Sequence, residues 1–168
     1  MRDKLQMIVV VIVAAIVSGC GAINFQATNV PNPMTPEQSK AQVVNAAQDI
    51  VHTLHLDVTH AYFSRSSCND QGEAPFRGVI DIYYPRPADL DEADAKQAKL
   101  AQDLRSDGWS GDADFHTHGT ALKKNNVEAV LWPANEDVPQ GHIELNGECR
   151  DVTTTKDTRG DSEDIKFN

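Results

Sequence analysis

The segment DADFHTH, residues 112–118, carries Asp112, Asp114, His116 and His118 at alternate positions, so a strand through it projects all four from one side. His142 and Glu144 alternate in the same way near the other end of the chain. A sheet that pairs these two strands, directly or with one strand between, gathers imidazoles and carboxylates on one face. Zinc and copper accept that donor set, so Asp114, His116, His118, His142 and Glu144 are the candidate metal ligands. A solvated sheet face produces the same alternation, and we favour that simpler reading; no cofactor is expected. Nucleophilic chemistry has less support. Ser64, Ser66 and Ser67 lie near Cys68 without a Gly-x-Ser-x-Gly elbow, and neither a His-Glu-x-x-His pair nor a phosphate loop occurs. His52, His55 and His60 flank a helix-to-strand junction, with His55 and His60 capping or bordering the core, and no nucleophile is paired with them. The chain reads as non-enzymatic.

The elements that must position these residues follow from hydrophobic period. At TPEQ, Thr35 can cap a helix, Pro36 suits its first position, and Gln38 completes a capping box. Val43, Val44, Ala47, Ile50, Val51 and Leu54 then recur every three or four residues, which predicts a helix over about 36–54. The period changes to two in LDVTHAYFS, where Leu56, Val58, His60 and Tyr62 share a face, and again in FRGVIDIYY, where Phe76, Gly78, Ile80, Ile82 and Tyr84 do. A second helix is expected from Asp89 to Asp107, capped by Asp89 or Asp91, with Leu90, Ala93, Gln97, Leu100, Ala101 and Leu104 along one side. Gly108 suits the left-handed position after it, and Trp109 then closes back on Leu104. Three more strands are expected at about 112–121, 127–133 after the turn KKNN, and 140–149. The expected class is α+β, in order α-β-β-α-β-β-β. It forms a two-layer sandwich with both helices on one face of an antiparallel sheet of about five strands.

The thiol at Cys20 follows a run that no core strand or helix explains. Two cations in MRDKLQ precede eleven apolar residues, MIVVVIVAAIV, and then the small residues Ser18 and Gly19. That order is the one a secretory signal uses. As a helix the eleven would rise only about 16 Å, half a hydrocarbon core, so a permanent span is the weaker reading. Val17-Ser18-Gly19-Cys20 resembles the lipobox of bacterial lipoproteins, which implies cleavage before Cys20 and acylation of its sulfur. Residues 1–19 are then signal, 20–34 an acylated cysteine and flexible tether, 35–151 the single domain, and 152–168 a disordered polar tail. Loss of the signal leaves 149 residues with 13 basic and 24 acidic side chains, a balance of −11. So acidic a body argues against nucleic acid and against electrostatic attachment to anionic lipid. Membrane attachment through lipid on Cys20, palmitate included, is the expected anchor. An exported chain keeps disulfides, so Cys68 and Cys149 are expected to pair. Separate metal or redox roles for the two thiols are the alternative.

On the strand 127–133, Val130 and Trp132 take the parity opposite to Val127, Ala129 and Leu131. If the latter face the helices, Val130 and Trp132 form an exposed apolar binding surface. If the parity is inverted, or the tether or tail covers them, they do not. Arg159-Gly160-Asp161 matches a known adhesion tripeptide but is discounted as chance. The lipobox, the first helix, the mid-chain cysteine, the helix ending LRSDGW and the closing IELNGECR together resemble the small secreted lipoproteins of actinobacteria, mycobacterial LppA-type proteins especially. The likeness covers about residues 35–150. It implies a two-layer domain, a Cys68 to Cys149 disulfide and little about activity. The expected function is a non-enzymatic envelope lipoprotein on the extracytoplasmic face of the cell membrane. It would bind an envelope protein, or a cell-wall or lipid component, of unknown identity. The alternatives are a prophage-encoded lipoprotein that blocks superinfection and a metal-binding envelope protein.

Overall fold

A computed structural model describes residues 29–111 and 119–167. Helix α1 (Pro36–Leu54) starts on a reciprocal capping box: Gln38 N donates to Thr35 Oγ1 at 3.2 Å and Thr35 N to Gln38 Oε1 at 2.9 Å. It ends at His55, which is left-handed with φ 46°. Helix α2 (Leu90–Ser106) is capped by Asp89, whose Oδ1 accepts from Glu92 N at 2.8 Å. Its far end is a Schellman turn. Gly108 takes φ +90°, Trp109 N donates to Leu104 O at 3.0 Å, and the indole is buried.

Six strands accompany the helices: β1 (His60–Ser67), β2 (Phe76–Tyr84), β3 (Thr120–Lys124), β4 (Val127–Trp132), β5 (Gly141–Asn146) and β6 (Glu163–Asp164). They form one antiparallel sheet in the order β3-β4-β5-β2-β1-β6. The expected α+β architecture therefore holds, with a sixth strand added. Alternation sends Ala61, Phe63, Ile80, Ile82, Val127, Ala129, Leu131, Ile143 and Leu145 into one core with Val43, Ala47 and Ile50 of α1 and Leu100, Ala101 and Leu104 of α2. Each large side chain so buried contributes about 1.5–3 kcal/mol. No described helix is long and apolar enough to cross a membrane.

Two glycines allow contacts that a side chain would block. A Cβ on Gly78 would stand 2.7 Å from the Ser39 carbonyl oxygen, so its absence lets α1 lie close on β2; there the buried Ser39 hydroxyl accepts from Gly78 N at 2.9 Å. At the cross-strand pair Tyr84 and Gly141, the tyrosine ring occupies the space a Cβ would take.

Several boundaries differ from expectation. The turn between β3 and β4 is only Asn125-Asn126, with φ 51° and 61°; Lys123 and Lys124 stay in the ladder opposite Glu128 and Val127. Asparagine tolerates the left-handed angles of such a two-residue hairpin, so the lysines need not turn. Residues 112–118, where the third strand was expected to begin, lie outside the described residues. Leu90, placed on the buried stripe of α2, is 60% exposed because it sits at the first helical position, ahead of the packed turns.

The larger correction concerns both ends of the domain. The tail expected to be disordered returns to the sheet: Phe63 pairs with Glu163 and Tyr62 with Asp164, and Ile165 N donates to Ala61 O at 2.9 Å. Ile165 and Phe167 pack against the core, and Lys40 and Arg65 both bind the Glu163 carboxylate. Two apolar residues and the open backbone edge of β1 hold a segment whose average composition is polar. Asp151 anchors its start: Oδ1 accepts from Thr153 N, Thr153 Oγ1 and Thr154 N, each at 3.0 Å, and Oδ2 accepts from the Thr154 hydroxyl. The expected tether is likewise fixed at its far end, where Met34 N donates to Arg150 O at 2.8 Å and the Arg150 guanidinium binds the Asn32 carbonyl.

Candidate functional site on the open sheet face

The face of the sheet away from the helices carries two adjoining rows of side chains, set by strand register. In the first, His60, Tyr83, His142 and Trp132 stand opposite one another across β1, β2, β5 and β4. The His60 and Tyr83 rings stack with centroids 4.4 Å apart and planes 11° apart, and Tyr83 and His142 stack at 4.5 Å and 3°. Tyr62 adjoins them, its hydroxyl donating to that of Tyr83 at 3.1 Å. In the second row Tyr62, Asp81, Glu144 and Val130 follow one another across the same four strands.

Asp81 and Glu144 are thus two carboxylates directly opposite each other, which by itself is unfavourable. Each is held by neighbours. His142 Nε2 donates to Asp81 Oδ1 at 2.8 Å, while Glu144 accepts from Trp132 Nε1 at 3.1 Å and from Asn146 Nδ2 at 2.7 Å. Burial, then the Tyr62 hydroxyl, then the charges of Asp81 and Glu144 push the Tyr83 phenol far above its ordinary pKa, so it stays neutral at physiological pH. Beyond Trp132 the loop after β4 turns outward, and Trp132, Pro133, Asn135, Val138, His142 and Glu144 enclose a recess of about 280 Å³. The loop is shaped by Asn135, whose Oδ1 accepts from Asp137 N and Val138 N at 2.9 and 2.8 Å.

The expected surface residues separate here. Val127, Ala129 and Leu131 do face the core, and Trp132 does open onto the other face, half-buried at the recess. Val130 is the correction: it is fully buried, because the chain at Gly119 lies on it so closely that a Cβ there would stand 3.0 Å from Val130 Cγ1. Of the candidate metal ligands, His142 and Glu144 lie on this face, two residues apart, with His142 engaged by Asp81. Asp114, His116 and His118 lie outside the described residues, as does Cys20. Among the described residues no group of three or more His, Cys, Asp or Glu side chains is placed to hold a metal ion. Cys68 and Cys149 form a disulfide, Cα to Cα 6.0 Å, joining the end of β1 to the turn after β5.

Sequence reasoning did not assemble the aromatic row. Of His55 and His60, read as capping or bordering the core, His55 caps α1, whereas His60 is exposed on the open face because β1 begins there rather than at Leu56. The parity of Asp81 and Tyr83 was legible, since Ile80, Ile82 and Tyr84 claim the other face. Their juxtaposition with His142 was not, because it depends on β5 inserting between β4 and β2.

Comparison with known proteins agrees with the lipoprotein character of the sequence. The family model described as "Putative lipoprotein LppJ" matches residues 35–168. A Mycobacterium bovis protein of that name is 31% identical over 164 residues, covering 91% of this chain and 86% of its own. Mycobacterium tuberculosis proteins of the same name are 36% identical over 124 residues, covering 73% of this chain and 64% of theirs. No solved structure matches. With the family model spanning residues 35–168, this chain belongs to the LppJ family of mycobacterial-type lipoproteins.

Proposed function

We propose that this chain is a non-enzymatic envelope lipoprotein, held on the extracytoplasmic side of the membrane by lipid on Cys20, that binds a protein partner through the open sheet face at Trp132. The observation that carries the reading is the stacked His60, Tyr83 and His142 row ending at Trp132 and its recess. These are large side chains whose positions are locked by register and hydrogen bonds, as in a preorganised binding surface. Family membership supports the anchor. Asn32, where the domain grips the chain, lies twelve positions after Cys20, so the body can stand up to about 40 Å from the lipid.

The non-enzymatic reading is supported by the site's own chemistry. His142 and Asp81 make a base and its orienting acid. Among the described residues, however, no serine, threonine or cysteine hydrogen-bonds to that imidazole, and the neighbouring Tyr83 is held protonated. In native membranes, cross-linking is expected to recover a partner in near-equal amount with the wild-type protein. Cys20→Ala should leave the membrane fraction. Trp132→Ala should keep its fold and anchor yet lose the partner; its full retention with Trp132→Ala would show that the face is assigned wrongly.

A further inference from the structure

The recess beside Trp132 combines an indole, two apolar side chains and one carboxylate, that of Glu144. Its cross-strand neighbour Asp81 is held by His142. Glu144 accepts only two neutral N–H groups, one on each oxygen, and no cation among the described residues pairs with it. Two neutral donors orient the carboxylate and leave its charge uncompensated, with lone pairs still open toward the recess. Above it Val138, 39% exposed, is one of only two large hydrophobic side chains so exposed among the described residues.

We propose that the recess takes a lysine or arginine side chain of the protein partner, its aliphatic stem against Trp132, Pro133 and Val138 and its cation on Glu144. This rests on the binding role proposed above and adds the chemistry of what is bound. Lysine and arginine have the required amphipathic shape, an apolar stem and a charged head, and the indole face adds cation–π attraction. The acidic body, −10 over the full chain, draws basic partners and repels anionic lipid.

Tryptophan fluorescence tests this directly, because Trp109 is buried in the core and Trp132 is the one that meets solvent. The full-length protein is titrated with hexalysine, hexaarginine and fully Nε-acetylated hexalysine. Saturable spectral change with the two basic peptides, none with the acetylated one, and affinity at least about tenfold weaker in Glu144→Gln are expected. Asp70→Asn, on the exposed turn between β1 and β2 at the opposite end of the sheet, removes the same charge away from the recess and should leave affinity within about twofold. No saturable change with either basic peptide, equal response to the acetylated peptide, or equal weakening in both variants would overturn the proposal. Loss of the membrane partner in Trp132→Ala alongside any of these would leave the binding face standing and remove only the cationic ligand.

Discussion

Replacing Cys68 and Cys149 together by alanine is expected to destabilise the domain by about 4 kcal/mol. The two residues are 81 positions apart, so the bond closes most of the domain into one loop and removes much of the freedom of the unfolded chain. It also ties the turn after β1 to the turn after β5, two strands that are not adjacent in the sheet. Thermal unfolding should show the midpoint falling by roughly 10–15 °C, matched by the wild type in reductant. A change under about 1 kcal/mol would mean that Asp151 and the returning tail already constrain these turns.

Asp151→Ala is the second large effect, at about 3 kcal/mol, because it removes a buried carboxylate that accepts four hydrogen bonds and leaves the Thr153 and Thr154 donors without their acceptor. The same residue joins three segments: its N–H and C=O exchange hydrogen bonds with Phe76 at 3.1 and 2.7 Å, and it bridges to Met34. Burial raises its pKa, but the hydrogen bonds from Thr154 and Thr153 outweigh burial and hold the carboxyl below its ordinary value. A depressed folded-state pKa makes the contribution complete above the ordinary carboxylate range and lost as pH falls through the folded value. Denaturant unfolding from pH 7 downward should therefore show wild-type stability declining below about pH 4, with a shallower decline in Asp151→Asn. Equal acid limbs in the two proteins would remove Asp151 from this role.

Local signals were the legible ones. The capping box at Thr35 and Gln38, the Schellman turn at Gly108 and the core parity of β2 and β4 are all fixed within a few residues of chain. What escaped depended on partners distant in sequence. The polar tail is held by Ile165, Phe167 and the edge of β1, about 100 residues earlier in the chain, and its mean composition hides the two apolar contacts. Val130 had the right parity for exposure and lost it to backbone at Gly119. Trp132 was found as a candidate because an aromatic at solvent-facing parity is unusual. Its companions Tyr83, His142 and Glu144 became a site only through the order β4-β5-β2, which no local pattern encodes.

The most direct test of a binding face at Trp132 is site-specific photo-cross-linking in native membranes from two exposed positions, Val138 in the recess and Leu90 at the start of α2. A benzophenone amino acid at 138 is expected to capture a stoichiometric protein partner, one that disappears when Trp132→Ala is added, while the same group at 90 captures none. Capture from position 90 and not from 138, or capture from 138 unchanged by Trp132→Ala, would contradict the account.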